Sequence, residues 1–334
     1  MIFFIFIIIN LVLLINFEKV KKIVNVFDHP DTERKFHDKK VFVGGGLIIL
    51  FNFLLLNIYV LITNDLSGII EFKNFDDFFT WIVAPLIIFL LGFYDDKKNL
   101  KANVKFIVLS LIYIAVILIN PSIIITELSF AGLSFNIYLG STYSILFSYF
   151  ALIVFSNAFN MMDGIDLQVG IYSILLFVFF ILRTGIDYQI IIMIFSILVY
   201  LYLNFRHKTF LGDGGTYLLA YIFSIYFMKY YNEQKLFLCD EILILMILPG
   251  LELIRLFVSR ILKKKNPLSP DRNHIHHLMI DRFKNMNIKI IPFLINFYFI
   301  LFSLIFFKIP NFSVIVIAII FYFLTIIYLK RSID

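Results

Sequence analysis

The sequence predicts an all-α integral membrane protein of about eleven transmembrane helices, forming a single polytopic domain over residues 1–334, and three observations predict it. Of its 334 residues 61% are hydrophobic and 42 are Phe, with a mean hydropathy of +0.94. That is more apolar surface than a soluble core of this length can hide. Apolar windows of roughly 17 to 22 residues, the length that crosses ~30 Å of hydrocarbon as helix, recur from end to end, and outer-membrane barrels lack such uninterrupted runs. Finally, Lys and Arg gather on alternate loops between the windows.

The first window, 2–17, lacks a basic leader and a small-residue cleavage site, which favours a retained helix over a signal peptide. The loop after it is basic, with Lys19, Lys21, Lys22, Arg34, Lys35, Lys39 and Lys40, and holds His37 before the triplet Gly44, Gly45 and Gly46. Three glycines let backbone approach a ligand or another helix closely. A solvated basic loop with a flexible helix start fits the same residues.

The second window, 44–63, leads to an acidic loop with Asp65, Glu71, Asp76 and Asp77 against Lys73. The third, 78–94, ends in Asp95, Asp96, Lys97 and Lys98. Adjacent carboxylates repel unless a cation sits with them, and a solvated Asp-Asp-Lys-Lys turn is the plain alternative. The fourth window, 103–125, is followed by a loop free of Lys and Arg.

The fifth window, 142–159, runs into Asn157, Asn160, Asp163, Gly164 and Asp166. Positions 157, 160 and 163 share one face if the helix continues through them, and Gly164 offers it a stop. A carboxylate near mid-membrane costs several kcal/mol unless paired or solvated, so these acids are functional candidates, with helix capping by Asn and Asp as the alternative. Windows six and seven, 168–183 and 188–204, lead to Arg206, Lys208 and then Gly212, Asp213, Gly214 and Gly215, which open the eighth at 214–231. Amides freed at that helix start hold phosphate oxygens, and Asp213 holds a hard cation beside them. The same Asp213 also suits an N-cap.

The ninth window, 241–260, precedes the loop richest in charge, with Arg260, Lys263, Lys264, Lys265, Arg272, Arg282, Lys284 and Lys289 around His274, His276 and His277. Three histidines suggest zinc, but no Cys accompanies them and their spacing is not that of a zinc-protease helix. Imidazoles beside Arg260 and Arg272 suit a diphosphate better. The last windows, 290–307 and 310–329, end before Lys330 and Arg331.

By the positive-inside rule the odd loops and the C-terminus face the cytoplasm and the N-terminus the periplasm. The net charge of +6 therefore speaks to orientation, and no nucleic-acid partner is expected. The lone Cys239 excludes an intramolecular disulfide framework and a multi-Cys metal site. Each reactive cluster falls on an odd loop, whereas a transporter carries polar groups towards both faces. Acids, amides, glycine-opened helices and cations at one face describe a magnesium and diphosphate site.

Taken in order, these motifs resemble the polyprenyl-phosphate N-acetylhexosamine-1-phosphate transferases, glycosyltransferase family 4, whose superfamily includes phospho-N-acetylmuramoyl-pentapeptide transferase. The resemblance rests on Asp28-x-Pro-x-x-x-Arg34-Lys35-x-His37 with the glycine triplet, Asp95-Asp96, Asn157-x-x-Asn160-x-x-Asp163-Gly-x-Asp166, Phe210-Leu-Gly-Asp213, and Pro270-Asp271-Arg272-x-His274-x-His276-His277. It implies transfer of a sugar 1-phosphate from a UDP-N-acetylhexosamine to undecaprenyl phosphate, releasing UMP with Mg²⁺ or Mn²⁺, in a multi-pass protein of the bacterial inner membrane whose active site faces the cytoplasm. It implies Asp213 as the principal metal ligand with Asn160 second, and Asp95 and Asp96 near the lipid phosphate. Asp163 and Asp166 fall near the nucleotide, and His274, His276, His277 and Arg260 around diphosphate and sugar, with Asn157, Arg272 and His37 as further substrate contacts.

The chain departs from the family where Leu167 stands in place of a second glycine after Asp166, where Lys40 and Phe42 replace prolines, and where Glu252 replaces an aspartate. The muramoyl-pentapeptide branch and a membrane transporter are the alternatives, and dimerisation with a second copy stays open.

Overall fold

In the computed structural model the described residues are 2–30, 39–234, 236–267 and 272–331. Helices α1 (Ile2–Ile15), α2 (Phe17–Val24), α3 (Gly45–Thr63), α4 (Phe75–Lys98) and α5 (Ala102–Ile119) come first. Then follow α6 (Ser141–Met162), α7 (Gln168–Thr184), α8 (Tyr188–Phe205) and α9 (Gly212–Lys229). The chain ends with α10 (Cys239–Leu245), α11 (Ile247–Leu262), α12 (Ile275–Arg282), α13 (Ile291–Lys308) and α14 (Phe312–Lys330). It is thus an all-α, multi-pass membrane protein. Among the described residues seven helices are long and apolar enough to cross a membrane, and up to nine if each of two bent pairs is one span.

Each apolar window of the sequence holds helix, but two of the eleven are not straight rods. The first bends by 67° after α1, where the Asn16 amide turns back onto the Val12 carbonyl at 2.9 Å. Beyond it α2 carries Glu18, Lys19, Lys21 and Lys22, side chains that belong in water. The ninth bends by 73° between α10 and α11. Pro249 has no N–H to offer the Leu245 carbonyl four residues back. The Tyr172 hydroxyl donates to that carbonyl instead, at 2.5 Å.

The chain divides into two compact units. Unit one takes the chain up to Pro121 and again from Ser173 to Tyr226. Here α1 and α3 are joined by Asn10 and Asn52, both buried, whose amides exchange hydrogen bonds of 2.7 and 3.0 Å. Such reciprocal pairing satisfies polar groups that lipid cannot. The glycine triplet serves helix packing: a Cβ on Gly46 meets the Gly215 backbone at 2.5 Å, and one on Gly45 meets the Tyr200 ring at 2.5 Å.

Three short strands, β1 (Phe27–Asp28), β2 (Val41–Val43) and the later Thr209–Phe210, also lie in this unit. The middle one pairs antiparallel with β1 and parallel with Thr209–Phe210, which ties the end of the first loop to the start of α9. Phe42, at a position where the family carries proline, fills a pocket against Phe17, Ile48, Val199 and Leu203.

The acidic loop after α3 is also anchored. Asp65 accepts from the Tyr188 hydroxyl at 2.7 Å and the Ser67 amide at 2.9 Å, and these bonds hold its carboxyl below the usual range. Gln189 brackets Ile70 by bonding both its N–H and its C=O. The even loops thus carry more organised polarity than the sequence suggests.

Unit two comprises Ser122 to Tyr172 and the chain from Phe227 onward. Its α6 packs along α11. A core of Ile165, Ile244, Leu248, Leu278, Ile295, Phe302, Ile315 and Tyr322 joins α10 to α14.

Candidate active site

In unit one the chemistry gathers where α4 ends and α9 begins. Helix α4 stays helical through Asp95 and Asp96 to Lys98 and closes on Asn99 in the left-handed conformation, φ 51°. The acids therefore sit in a last helical turn and not in the solvated turn the sequence allowed. The Leu100 amide donates to Asp95 Oδ1 at 2.6 Å. Lys105, in the first turn of α5, places its ammonium 2.6 Å from Asp95 Oδ2 and 3.1 Å from Asp213 Oδ2. This is the cation that the carboxylate repulsion demanded.

Asp96 turns the other way. Its Oδ1 accepts the Asp213 N–H at 2.9 Å and its Oδ2 the Gly214 N–H at 3.2 Å. It thus caps α9 from another helix, placing negative charge at the positive end of the helix dipole. Two sequence expectations change. Asp213 is not the N-cap, since it lies within the first turn of α9. The amides of Asp213 and Gly214, assigned to phosphate oxygens, are taken by Asp96. Glycine is required at 212, where φ is +78° and a Cβ meets Asp96 Oδ2 at 2.6 Å, and at 92, where a Cβ meets the Gly214 nitrogen at 2.5 Å.

No group of three or more His, Cys, Asp or Glu suited to a metal occurs among the described residues. A magnesium ion that carries substrate phosphate needs only one or two carboxylates beside waters. Asp95 and Asp213 supply two that already converge on one positive charge. The Asp213 side chain is 27% exposed and that of Asp95 7%, so Asp213 is the one an ion reaches from solvent. The donor set fits such an ion.

Unit two holds the amides and imidazoles. Helix α6 ends at Met162. Asn157 and Asn160 are therefore helical, while Asp163, at φ −79° and ψ 58°, has left the helix. The shared face covers two of the three expected residues. The Asn157 amide also turns back to the Ile153 carbonyl at 2.8 Å.

Gly164 does not stop the helix by a left-handed turn; its N–H closes a three-residue turn onto the Met162 carbonyl at 2.9 Å. What requires glycine there is His276, whose Nε2 lies 2.1 Å from where a Cβ would stand. The loop bearing Asp163 and Asp166 is therefore seated against the histidine segment. Leu167, in place of the family's glycine, adopts φ +70°. That left-handed conformation strains a residue with a side chain.

His274 precedes α12, and His276 and His277 lie in its first turn, 4% and 7% exposed. The rings of His276 and His277 are 4.5 Å apart, and that of His274 stacks on His276 at 5.2 Å. Burial, with the two neighbouring imidazoles adding, holds His276 well below the usual histidine range. It is a neutral hydrogen-bonding group.

Arg260 donates to the Pro267 carbonyl at 2.8 Å, and Arg272 pairs with Asp281 at 3.6 Å. His37, and Asp271 of the histidine motif, lie outside the described residues.

Sequence reasoning passed over Lys105, Arg255 and Tyr322. The first two are ionisable side chains inside apolar windows, a signal that marked the acids but was not applied to the cations. Arg255 also stands three residues after Glu252, one helical turn.

Residues 78–231 match the family model described as Glycosyl transferase family 4. The chain is 25% identical over 278 residues to an undecaprenyl-phosphate alpha-N-acetylglucosaminyl 1-phosphate transferase of Escherichia coli O157:H7, covering 78% of this chain and 71% of that protein. It is 28% identical over 266 residues to a probable undecaprenyl-phosphate N-acetylglucosaminyl 1-phosphate transferase of Bacillus subtilis (strain 168), covering 77% and 70%. The counterpart from Yersinia pestis is 25% identical over 284 residues, covering 78% and 71%.

Proposed function

We propose that this chain, which belongs to glycosyl transferase family 4, transfers a sugar 1-phosphate from a UDP-sugar to undecaprenyl phosphate, yielding lipid-diphosphate-sugar and UMP. The observation that carries the reading is the meeting of Asp95 and Asp213 on one ammonium. Both acids lie inside the stretch that matches the family, and relatives over most of the chain are named for this transfer.

The sugar is an N-acetylhexosamine, and the product begins a cell-surface polysaccharide. All eleven apolar windows cross the bacterial inner membrane, with the loops bearing Asp95, Asp163, Asp213 and His276 on the cytoplasmic side, where Lys and Arg accumulate.

The lipid phosphate carries most of its second negative charge at pH 7, because a phosphomonoester's second pKa is near 6. It needs little help from a base, and Asp95 takes the residual proton. The harder problem is bringing this anion to a diphosphate, since like charges ~4 Å apart repel by roughly 4 kcal/mol at an effective ε of 20.

Lys105 offsets part of that repulsion. Asp213 with Asp95 would hold the Mg²⁺ or Mn²⁺ that the resemblance implies, and such an ion would supply further positive charge against the diphosphate. The role that the resemblance gives Asn160 at the metal belongs to the same proposal. Asp96 keeps the start of α9 rigid, so that Asp213 is held ready.

On the donor, Asp163 and Asp166 contact the nucleotide, and Asn157 is a further substrate contact. Arg260, Arg272, His274 and His277 contact diphosphate and sugar. His276, neutral, donates a hydrogen bond without adding charge.

Purified protein incubated with undecaprenyl phosphate, Mg²⁺ and a panel of UDP-sugars should release UMP with one N-acetylhexosamine donor and not without lipid. Release of no UMP from any donor by folded protein would overturn the assignment.

A further inference from the structure

Three side chains enclose the histidine segment in unit two, one of them Glu252, which stands where the family carries aspartate. Glu252 and Arg255 lie on α11 with side chains 4% and 8% exposed. The Arg255 guanidinium engages both Glu252 oxygens, with Nη2 at 2.8 Å from each and Nε at 3.1 Å from Oε2. The Tyr322 hydroxyl, on α14, donates to Glu252 Oε2 and accepts from Arg255 Nε at 2.9 Å.

Each member of the ion pair also grips backbone. Glu252 Oε1 accepts the Ile275 N–H at 2.7 Å, and Arg255 Nη2 donates to the Asn273 carbonyl at 2.7 Å. The residues gripped flank His274 and lead directly into His276, against which Gly164 is seated.

A buried ion pair is weak grounds for stability, because desolvation can cancel its attraction. Its retention here needs another reason. A bidentate pair has one geometry, and the two backbone groups it holds are in register with that geometry.

We propose that Glu252, Arg255 and Tyr322 are positioning residues: a clamp that fixes the rotation and register of the 273–277 segment, so that α14 sets the histidine geometry without touching substrate. The kinetic consequence rests on the transferase reading, whereas the structural consequence does not.

The test uses full-length protein in nanodiscs carrying Glu252→Gln, Arg255→Lys or Tyr322→Phe. Tyr328→Phe, also on α14 and bonded only to the exposed Arg282 at 3.3 Å among the contacts described, is the control. UMP release gives kcat and KM, thermal unfolding reports the fold, and mass spectrometry gives the rate at which diethyl pyrocarbonate modifies His276 and His277.

A misplacement of about 1 Å costs about 100-fold, so Glu252→Gln should lose roughly that in kcat with lipid-phosphate KM held within about threefold. Tyr322→Phe, which removes one hydrogen bond to a charged pair, should lose about tenfold. In both, His276 should be modified at least about tenfold faster once its segment is released. Tyr328→Phe should match wild type in every readout.

Wild-type kcat together with unchanged histidine modification in Tyr322→Phe overturns the clamp. That variant decides the matter even if Glu252→Gln fails to fold. If wild-type protein releases no UMP from any donor, the transferase reading falls instead, and the modification rates still decide the clamp.

Discussion

Lys105→Met isolates what the acid pair in unit one requires. In the native chain Asp95 Oδ2 and Asp213 Oδ2 lie 2.6 and 3.1 Å from one ammonium. Methionine keeps much of the stem and removes the charge. The two carboxylates, roughly 5 Å apart, then repel by about 3 kcal/mol at an effective ε of 20. Melting in EDTA should fall by something on the order of 4 °C. Ten millimolar Mg²⁺, by occupying the vacated position between the carboxylates, should recover most of the loss, and wild type should respond far less because its own lysine competes. Adding Asp95→Asn to Lys105→Met should restore melting in EDTA and abolish the Mg²⁺ response, since the repulsion between residues 95 and 213 is then gone. Fluorescence-detected thermal unfolding of the three proteins, with and without Mg²⁺, measures all of this. If Lys105→Met melts with wild type in EDTA, or gains nothing from Mg²⁺, the acids are not held together against repulsion and the proposed cation position is wrong.

Asp96→Ala leaves the Asp213 and Gly214 amides without their cap; a loss of about 1–3 kcal/mol should appear as lower thermal stability, whereas a purely catalytic Asp96 would leave melting unchanged. Gly164→Ala should leave the protein folded but cut UMP release at least about tenfold, because its Cβ takes the place of the His276 ring; wild-type turnover would refute the seating of that loop. Leu167→Val should destabilise by about 1–3 kcal/mol, since a β-branched residue tolerates φ +70° worse than Leu, while Leu167→Gly should keep turnover within about threefold. For His276, burial lowers the folded pKa, so the unfolded chain binds a proton first as pH falls. The stability of the neutral imidazole is complete above about pH 6.5 and is lost progressively below it. His276→Gln should flatten the decline in melting temperature between pH 7 and 5, and an unchanged slope would place the titration elsewhere.

The helices were legible because lipid leaves no other outlet for backbone polarity, and apolar length alone marks them. Their bends were not. Pro249 was visible in the sequence, but a proline inside a span does not announce where its orphaned carbonyl will find a donor, and here the donor, Tyr172, is more than seventy residues away. The short strands escaped for a similar reason. Two or three residues carry no period, and Thr209–Phe210 is paired only because Val41–Val43 lies beside it. Asp95, Asp96 and Asp213 come together at the start of α9, yet identity alone does not tell an acid that holds an ion pair from one that caps a helix. That distinction is rotational. Asp95 and Asp96 are about 100° apart on α4, so one faces Lys105 while the other faces the start of α9. Leu167 shows another limit: nothing in the residue type announces the left-handed turn that it adopts.

The charged groups gathered in each unit differ in kind. Unit one carries three carboxylates and an ammonium, a cluster whose excess negative charge favours a further cation. The segment that Glu252 and Arg255 grip in unit two ends in a histidine held neutral, with the charges of the clamp cancelling one another. A transfer between two phosphates needs both kinds of surface. Positive charge must be recruited where the anions meet, and it must be reversible, because a site that held the diphosphate by permanent cations would bind substrate and product alike. Acids that attract a divalent ion meet the first demand. Under the proposed function, neutral donors on a rigid segment meet the second, since they orient the sugar and phosphate without deepening the ground state. Replacing His276 by a permanent cation would tighten donor binding while slowing turnover.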